Sequence, residues 1–338
     1  MNSSGVELGR ALSVALIIGF LTLSCIPKQR AGAGPVPATL PAPAPNSGNP
    51  FLGVPFFVDA SSQAAQALPS LGGERAVLVR KIAEQPQADW FGEWTPDVES
   101  AVRSRMQEAE QKGALRVLVA YNIPNRDCGL YSKGGVGSPE AYKAWTTALS
   151  RGIGRARAAV ILEPDALGQL KDCLTKEDQA TRVELLRYAV RALRASPNVA
   201  VYLDAGNANW LPPPELAGRL SAVGIHEATG FALNVSNYVA TDLTLAYGHA
   251  VNQHLRNPAP FVIDTSRNGR GEAPGKAWCN PKGRALGPRP TANTGHPLLH
   301  ALLWVKRPGE SDGDCNGGPR AGAWFGEQAY ELARNAGY

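Results

Sequence analysis

Ala158-Ala159-Val160-Ile161-Leu162-Glu163-Pro164-Asp165 decides how this chain is read. Five apolar residues make a short buried strand, and the strand runs straight into two carboxylates around a proline. The pattern recurs along the chain. Residues 115–120 lead to Asp127, 199–203 end on Asp204, 261–263 end on Asp264, and 302–305 lead through Lys306 to Glu310 and Asp312. Parallel α/β barrels present functional groups at the C-terminal ends of their strands, where the βα loops cluster. Any one of these acids can simply cap the next helix or hold its own loop. Five strand-end acids in succession, with tryptophans nearby, point to an acid/base hydrolase site.

Helix-like stretches separate these strands, over 63–68, 96–112, 139–153, 176–195 with Thr175 as N-cap, 213–222, 239–255 and 324–335. Further strands are expected over 54–58, 231–234 and, at the end, 301–305. Strands alternating with helices of this length imply a parallel sheet, and a barrel fits better than an open sheet. The expected fold is α/β, a distorted parallel (β/α) barrel with fewer than eight strands. No Gly-x-Gly-x-x-Gly follows a strand, and neither a Walker loop nor a Gly-x-Ser-x-Gly elbow is present, so dinucleotide, nucleotide and serine-hydrolase chemistry is disfavoured.

The chain has 338 residues, 44% hydrophobic and 19% charged, with a formal net charge of +5. Its lysines and arginines are scattered, without a run or motif for nucleic acid. Residues 1–24 read as a secretory signal, with Arg10 ahead of an apolar run too short for an ordinary membrane span. Leu21-Thr22-Leu23-Ser24-Cys25 resembles a bacterial lipoprotein cleavage site with Cys25 as the lipidated residue, and Ala31-Gly32-Ala33 offers an ordinary signal-peptidase site instead. Residues 25–50 form a proline- and alanine-rich linker that cannot build a core; at about 3.1 Å per residue it reaches roughly 70 Å. A catalytic domain then spans 51–338. Without Cys25, the set Cys128, Cys173, Cys279 and Cys315 is even, as in an exported disulfide protein, and allows three connectivities. No metal-ligand spacing accompanies these cysteines.

Motifs now make the chain recognisable. Val119-Ala120-Tyr121-Asn122-Ile123-Pro124-Asn125-Arg126-Asp127-Cys128, Ile161-Leu162-Glu163-Pro164-Asp165-Ala166-Leu167 and Tyr202-Leu203-Asp204-Ala205-Gly206 come first. Ala232-Leu233-Asn234-Val235-Ser236-Asn237-Tyr238, Asp264-Thr265-Ser266-Arg267-Asn268-Gly269, Trp278-Cys279-Asn280-Pro281 and Trp304-Val305-Lys306 with Pro308-Gly309-Glu310-Ser311-Asp312-Gly313 follow. Over 51–338 the chain resembles glycoside hydrolase family 6, the inverting β-1,4-glucanases. The resemblance implies a groove across the C-terminal rim of the barrel and no cofactor or metal. Asp165 matches the general acid, Asp127 a residue that raises its pKa, Asp312 the candidate base, and Tyr121 a tyrosine that assists ring distortion. Lys306, Glu310 and Asn237 match sugar-binding residues, and Asp204 a carboxylate supporting the site. Trp90, Trp210 and Trp278 match sugar platforms in rim loops, with Trp94 as an addition, whereas Trp145 and Trp304 read as core. Glu163 reads as orienting its loop, and Asp264 and Arg267 as either structural or functional.

The same resemblance pairs Cys128 with Cys173 and Cys279 with Cys315. Two departures stand out: Asn207 replaces the family's histidine, and Asp314 is an extra acid beside the proposed base. The implied activity is inverting, internal cleavage of β-1,4-glucan by an exported, monomeric protein. The alternatives are exo-acting cellobiohydrolase action, another β-glucan as substrate, or non-catalytic glucan binding on the same scaffold. Short stretches between Asn280 and Val305 and between Asp165 and Asp204 leave little chain to roof the groove, which favours the internal mode.

Overall fold

The computed structural model describes residues 48–338; the expected signal, Cys25 and most of the linker lie outside them. Seven parallel strands follow one another around a curled, open barrel in the order β1 to β7. They are β1 (Asp89–Phe91), β2 (Arg116–Ala120), β3 (Ala158–Leu162), β4 (Val199–Asp204), β5 (Gly230–Leu233), β6 (Phe261–Asp264) and β7 (Leu299–Leu303). The helices are α1 (Gln63–Ala67), α2 (Gly73–Ala83), α3 (Val98–Gln111), α4 (Pro139–Ile153), α5 (Lys176–Arg194), α6 (Pro213–Val223), α7 (Thr241–Asn252) and α8 (Gly326–Asn335). The expected fold class holds: a barrel-like parallel α/β sheet with fewer than eight strands. Among the described residues no helix is long and apolar enough to cross a membrane.

Strand parity sorts the core into two layers. Leu118, Ala120, Val160, Leu162, Val201, Leu203, Phe231 and Ile263 pack outward against the helices. Val119, Ile161, Tyr202, Ala232, Val262 and Leu303 fill the barrel. The inward parity continues past the strand ends. Two residues beyond Ile161, Tyr202, Ala232 and Val262 come Glu163, Asp204, Asn234 and Asp264, all buried to within 1%. Period-two alternation therefore carries polar groups over the barrel mouth without any long loop.

Helix ends follow their sequence signals. Asp97, Ser138 and Thr175 each accept a backbone N–H in the first turn of α3, α4 and α5, a contact worth about 1 kcal/mol. The first part of the chain departs from expectation. Residues 54–58 form no strand: Phe56 makes one isolated bridge to Leu115. The sheet edge is instead β1, three residues long and opened by Asp89, which the sequence does not advertise. Asp89 is tolerated there because Arg116 on β2 and Arg307 after β7 both pair with it. α2 is likewise unannounced; it buries Leu78, Val79, Ile82 and Ala83 but exposes Val77, which blurs its period. Between β1 and β7 the barrel is stitched by single contacts, Ala88 N–H to Trp304 O at 3.0 Å and Trp90 Nε1 to Val305 O at 2.9 Å.

Candidate active site

The backbone at the mouth is strained where the acids emerge. Asp127, Cys128, Glu163 and Asp165 all have positive φ, at 56°, 45°, 51° and 70°. Non-glycine residues in this region cost about 1–3 kcal/mol each and persist only where surrounding contacts enforce them. Glu163 supplies much of that enforcement. Its buried carboxylate accepts the N–H groups of Asn122 at 3.0 Å and Ile123 at 3.1 Å, and the Tyr142 hydroxyl at 2.9 Å. It thus anchors the start of the β2 loop, as its position before Pro164 suggests. Burial pushes its pKa to about 7, against the lowering effect of those donors.

Asp165 stands at the centre of the first cluster. Its N–H donates to Asp204 Oδ1 at 2.9 Å, and the Tyr121 hydroxyl lies 3.5 Å from its Oδ2. Burial raises its pKa well above the carboxylate range, and the charges of Asp204 and Asp127 raise it further. Its surroundings therefore favour the protonated form of Asp165 over the ionised one. Asp127 is held by Gln169 Nε2 at 3.1 Å and by Ser132 N–H at 2.8 Å. Asp204 also accepts the Gly206 N–H at 3.1 Å, while its Oδ2 has no partner. Its pKa is raised too, by burial first and then by Asp264. Tyr121 sits under the Arg126 guanidinium at 4.5 Å and edge-on to Trp90 at 5.3 Å.

A second cluster forms around Asp312. Arg267 Nη1 donates to both of its oxygens, at 2.9 and 2.8 Å. Asn280 N–H donates to Oδ2 at 3.0 Å, the Tyr238 hydroxyl lies at 3.5 Å, and Lys306 Nζ lies 3.7 Å from Oδ1. Burial works to raise its pKa, but Arg267, Lys306 and the hydrogen bonds outweigh it and hold it below the usual value. One cluster thus pushes its carboxyl toward protonation, and the other holds its carboxylate ionised. Asp264 accepts the N–H groups of Ser236, Ser266, Val305 and Lys306. It ties three βα loops together, a structural task, whereas Arg267 belongs to the Asp312 cluster. Asp314 is exposed, and no side-chain bond among those described involves it.

The aromatic residues divide. Trp278 and Trp94 are exposed, with Trp278 edge-on to Tyr131 at 5.9 Å. Trp90 is a strand residue of β1 rather than a loop residue, and it is only partly exposed. Trp210 wedges between loops: a Cβ on Gly168 or Gly206 would meet its ring at 2.7 or 2.9 Å. Trp304 is core, donating to Pro288 O at 3.0 Å, and Trp145 packs on Tyr142. Asn237 donates to Val235 O at 2.9 Å, and Glu310 lies 3.4 Å from Arg307. Asn207 closes a small turn by accepting the Asn209 N–H at 3.0 Å. Both disulfides form as expected, Cys128–Cys173 and Cys279–Cys315, with Cα separations of 5.6 and 6.2 Å. The first joins the loop of Asp127 to the segment after Asp165, and the second joins the Trp278 loop to that of Asp312. Among the described residues no group of three His, Cys, Asp or Glu side chains could hold a metal ion. Sequence reasoning missed Gln169, Tyr238 and Asn280 as partners of these acids. Only their place within or next to the motifs hinted at them.

Residues 48–336 match the model for glycosyl hydrolases family 6. The chain is 46% identical over 296 residues to endoglucanase A of Cellulomonas fimi, covering 87% of this chain and 62% of that protein. It is 41% identical over 320 residues to endoglucanase 1 of Streptomyces halstedii, covering 92% and 95%. Among solved structures, the endoglucanase Cel6 of Mycobacterium tuberculosis, in complex with a methyl-cellobiosyl-thio-cellobioside, superposes with a TM-score of 0.81 at 42% identity. That match covers 85% of this chain and 99% of the other. Paired acid clusters at the mouth of a seven-stranded barrel, with family similarity along nearly all of the described chain, lead to one assignment: the chain belongs to glycosyl hydrolases family 6.

Proposed function

We propose that this protein is an inverting endo-β-1,4-glucanase that hydrolyses internal bonds of cellulose or a related β-glucan. The observation that carries the reading is the contrast at one barrel mouth between Asp165, set against Asp204 and Asp127 and pushed toward its protonated form, and Asp312, held by Arg267 in its ionised form. Glycoside hydrolysis by inversion requires an acid at the leaving oxygen and a base that activates water on the opposite ring face. Asp165 donates the proton. Asp127 sustains its high pKa, and Tyr121, in contact with Asp165, crowds the sugar ring at the scissile bond. Asp312 draws the proton from the attacking water. Arg267 holds both of its oxygens, and the transfer runs through a chain of waters. Trp90, Trp210 and Trp278 offer faces to the apolar sides of glucosyl rings. Asp204, Asn237, Lys306 and Glu310 meet hydroxyls or support the groups that do. The endoglucanase names of the relatives, and the short stretches of sequence from Asn280 to Val305 and from Asp165 to Asp204, support cleavage within the chain.

Disulfides in the catalytic domain support export, with residues 1–24 as the signal, 25–50 as a tether and Cys25 as the lipid-bearing end. The domain acts as a monomer.

The test is a substrate pair. Asp165→Asn should lose most activity on unactivated glucan, about 3 kcal/mol or more of transition-state stabilisation. It should lose far less on an aryl cellobioside whose leaving group needs no proton. Equal losses would remove Asp165 from the acid role. Early proton NMR should show α product. On carboxymethylcellulose, viscosity should fall sharply for few reducing ends. Cellobiose release with little viscosity change would make the protein an exo-acting cellobiohydrolase instead.

A further inference from the structure

Asn280 grips the Asp312 loop with both its main chain and its side chain. It is 3% exposed and has a left-handed backbone, φ 45°. Its own N–H donates to Asp312 Oδ2 at 3.0 Å, and its Oδ1 accepts the Asp312 N–H at 2.9 Å. Its Nδ2 reaches Ser311 Oγ at 3.0 Å, Gly313 O at 2.8 Å and Cys315 O at 3.1 Å. Asp312 is thus gripped through its main chain and its side chain by one residue.

The amide orientation is forced. Donors converge on Oδ1 and carbonyls on Nδ2, so a flipped amide would set donor against donor. Gln328 on α8 fixes it further, donating Nε2 to Asn280 Oδ1 at 3.0 Å. That choice leaves Gln328 Oε1 buried with no partner, a cost of about 1–3 kcal/mol. A buried orphan of this kind asks for a reason. Arg267 explains the charge of Asp312 but not its orientation, because both oxygens share one nitrogen and the carboxylate can pivot about it. The Asn280 N–H on Oδ2 removes that freedom.

We propose that Asn280, backed by Gln328, is the positioning residue for Asp312 in glucan hydrolysis. This rests on the reading of Asp312 as the base. The groups facing Asp312 are Arg267 after β6, with Asp264 behind it, Lys306 after β7 and Tyr238 after β5. Asn280→Asp would add a carboxylate to this set. The acid limb of the kcat–pH profile should then move up by about one unit. In Gln328→Met, which keeps the volume but frees Asn280 Oδ1, kcat should fall about tenfold with KM within about threefold, as expected when a reacting group loses its alignment. A purely structural role would lower Tm in Gln328→Met and leave its kcat in place; that result overturns the proposal. Gln328→Met keeps the question decidable if Asn280→Asp does not fold. Asp312→Asn separates the two layers. If it is inactive while both other variants behave as wild type, positioning alone fails. If it keeps wild-type kcat, the base reading fails and takes the positioning role with it.

Discussion

Asp165 is pushed toward its protonated form by neighbours that sequence spacing does not connect. Burial, Asp204 at the end of β4 and Asp127 after β2 all penalise its ionised form. Removing one negative neighbour should lower its pKa, so Asp127→Asn should move the basic limb of the kcat–pH profile toward acid. A profile with its basic limb in place would show that Asp127 acts otherwise. At this scale motif resemblance marked the acids and implied their roles, but the residues themselves carry no cause for the difference. Without the resemblance, Asp165 and Asp312 read alike as aspartates in rim loops. Burial and then Asp204 push the first toward its protonated form, whereas Arg267 holds the second ionised.

Most elements were legible because their signals are local. The strand over 158–162 and the helix over 139–153 end where apolar runs, Pro139 and Gly154 say they should. β1 was not legible, because its stability comes from Arg116 and Arg307, residues distant in sequence. The loops between elements are where chemistry sits, and the disulfides hold them. Cys279–Cys315 encloses a separation of 36 residues and Cys128–Cys173 one of 45. Loop-closure entropy puts each at about 4 kcal/mol. Serine pairs replacing either bridge should lose close to that in guanidinium unfolding. The Cys279→Ser, Cys315→Ser protein should also lose kcat, because its bridge adjoins Asn280 and the Asp312 loop. Unchanged kcat would mean that the hydrogen bonds alone hold that loop.

Across the whole molecule, buried acids set the response of stability to pH. Glu163 titrates at about 7 in the fold, and Asp165, Asp204 and Asp264 are also raised. A carboxyl with a raised folded pKa stabilises the protein fully below its unfolded pKa, and that contribution is lost as pH rises through the folded value. For Glu163 the window runs from its ordinary 4.5 to about 7. Buried His300, lowered to about 4, works the other way and is lost as pH falls from 6.5. His249 is also lowered. The acids outnumber the histidines, so Tm should rise as pH falls from about 8 to about 5. Glu163→Gln should flatten that slope; a Tm that instead drops steadily over the same range would show the histidines dominating. The sequence by itself determined the barrel, most of its strands, the acids at their ends and the cysteine set, because hydrophobic period and motif are written in neighbouring residues. The tertiary structure alone decided what pushes one acid toward protonation and holds another ionised, which loop tyrosine and asparagine grip Asp312, and which short strand completes the sheet edge. Those outcomes depend on charge, burial and hydrogen bonds between residues that only folding brings together.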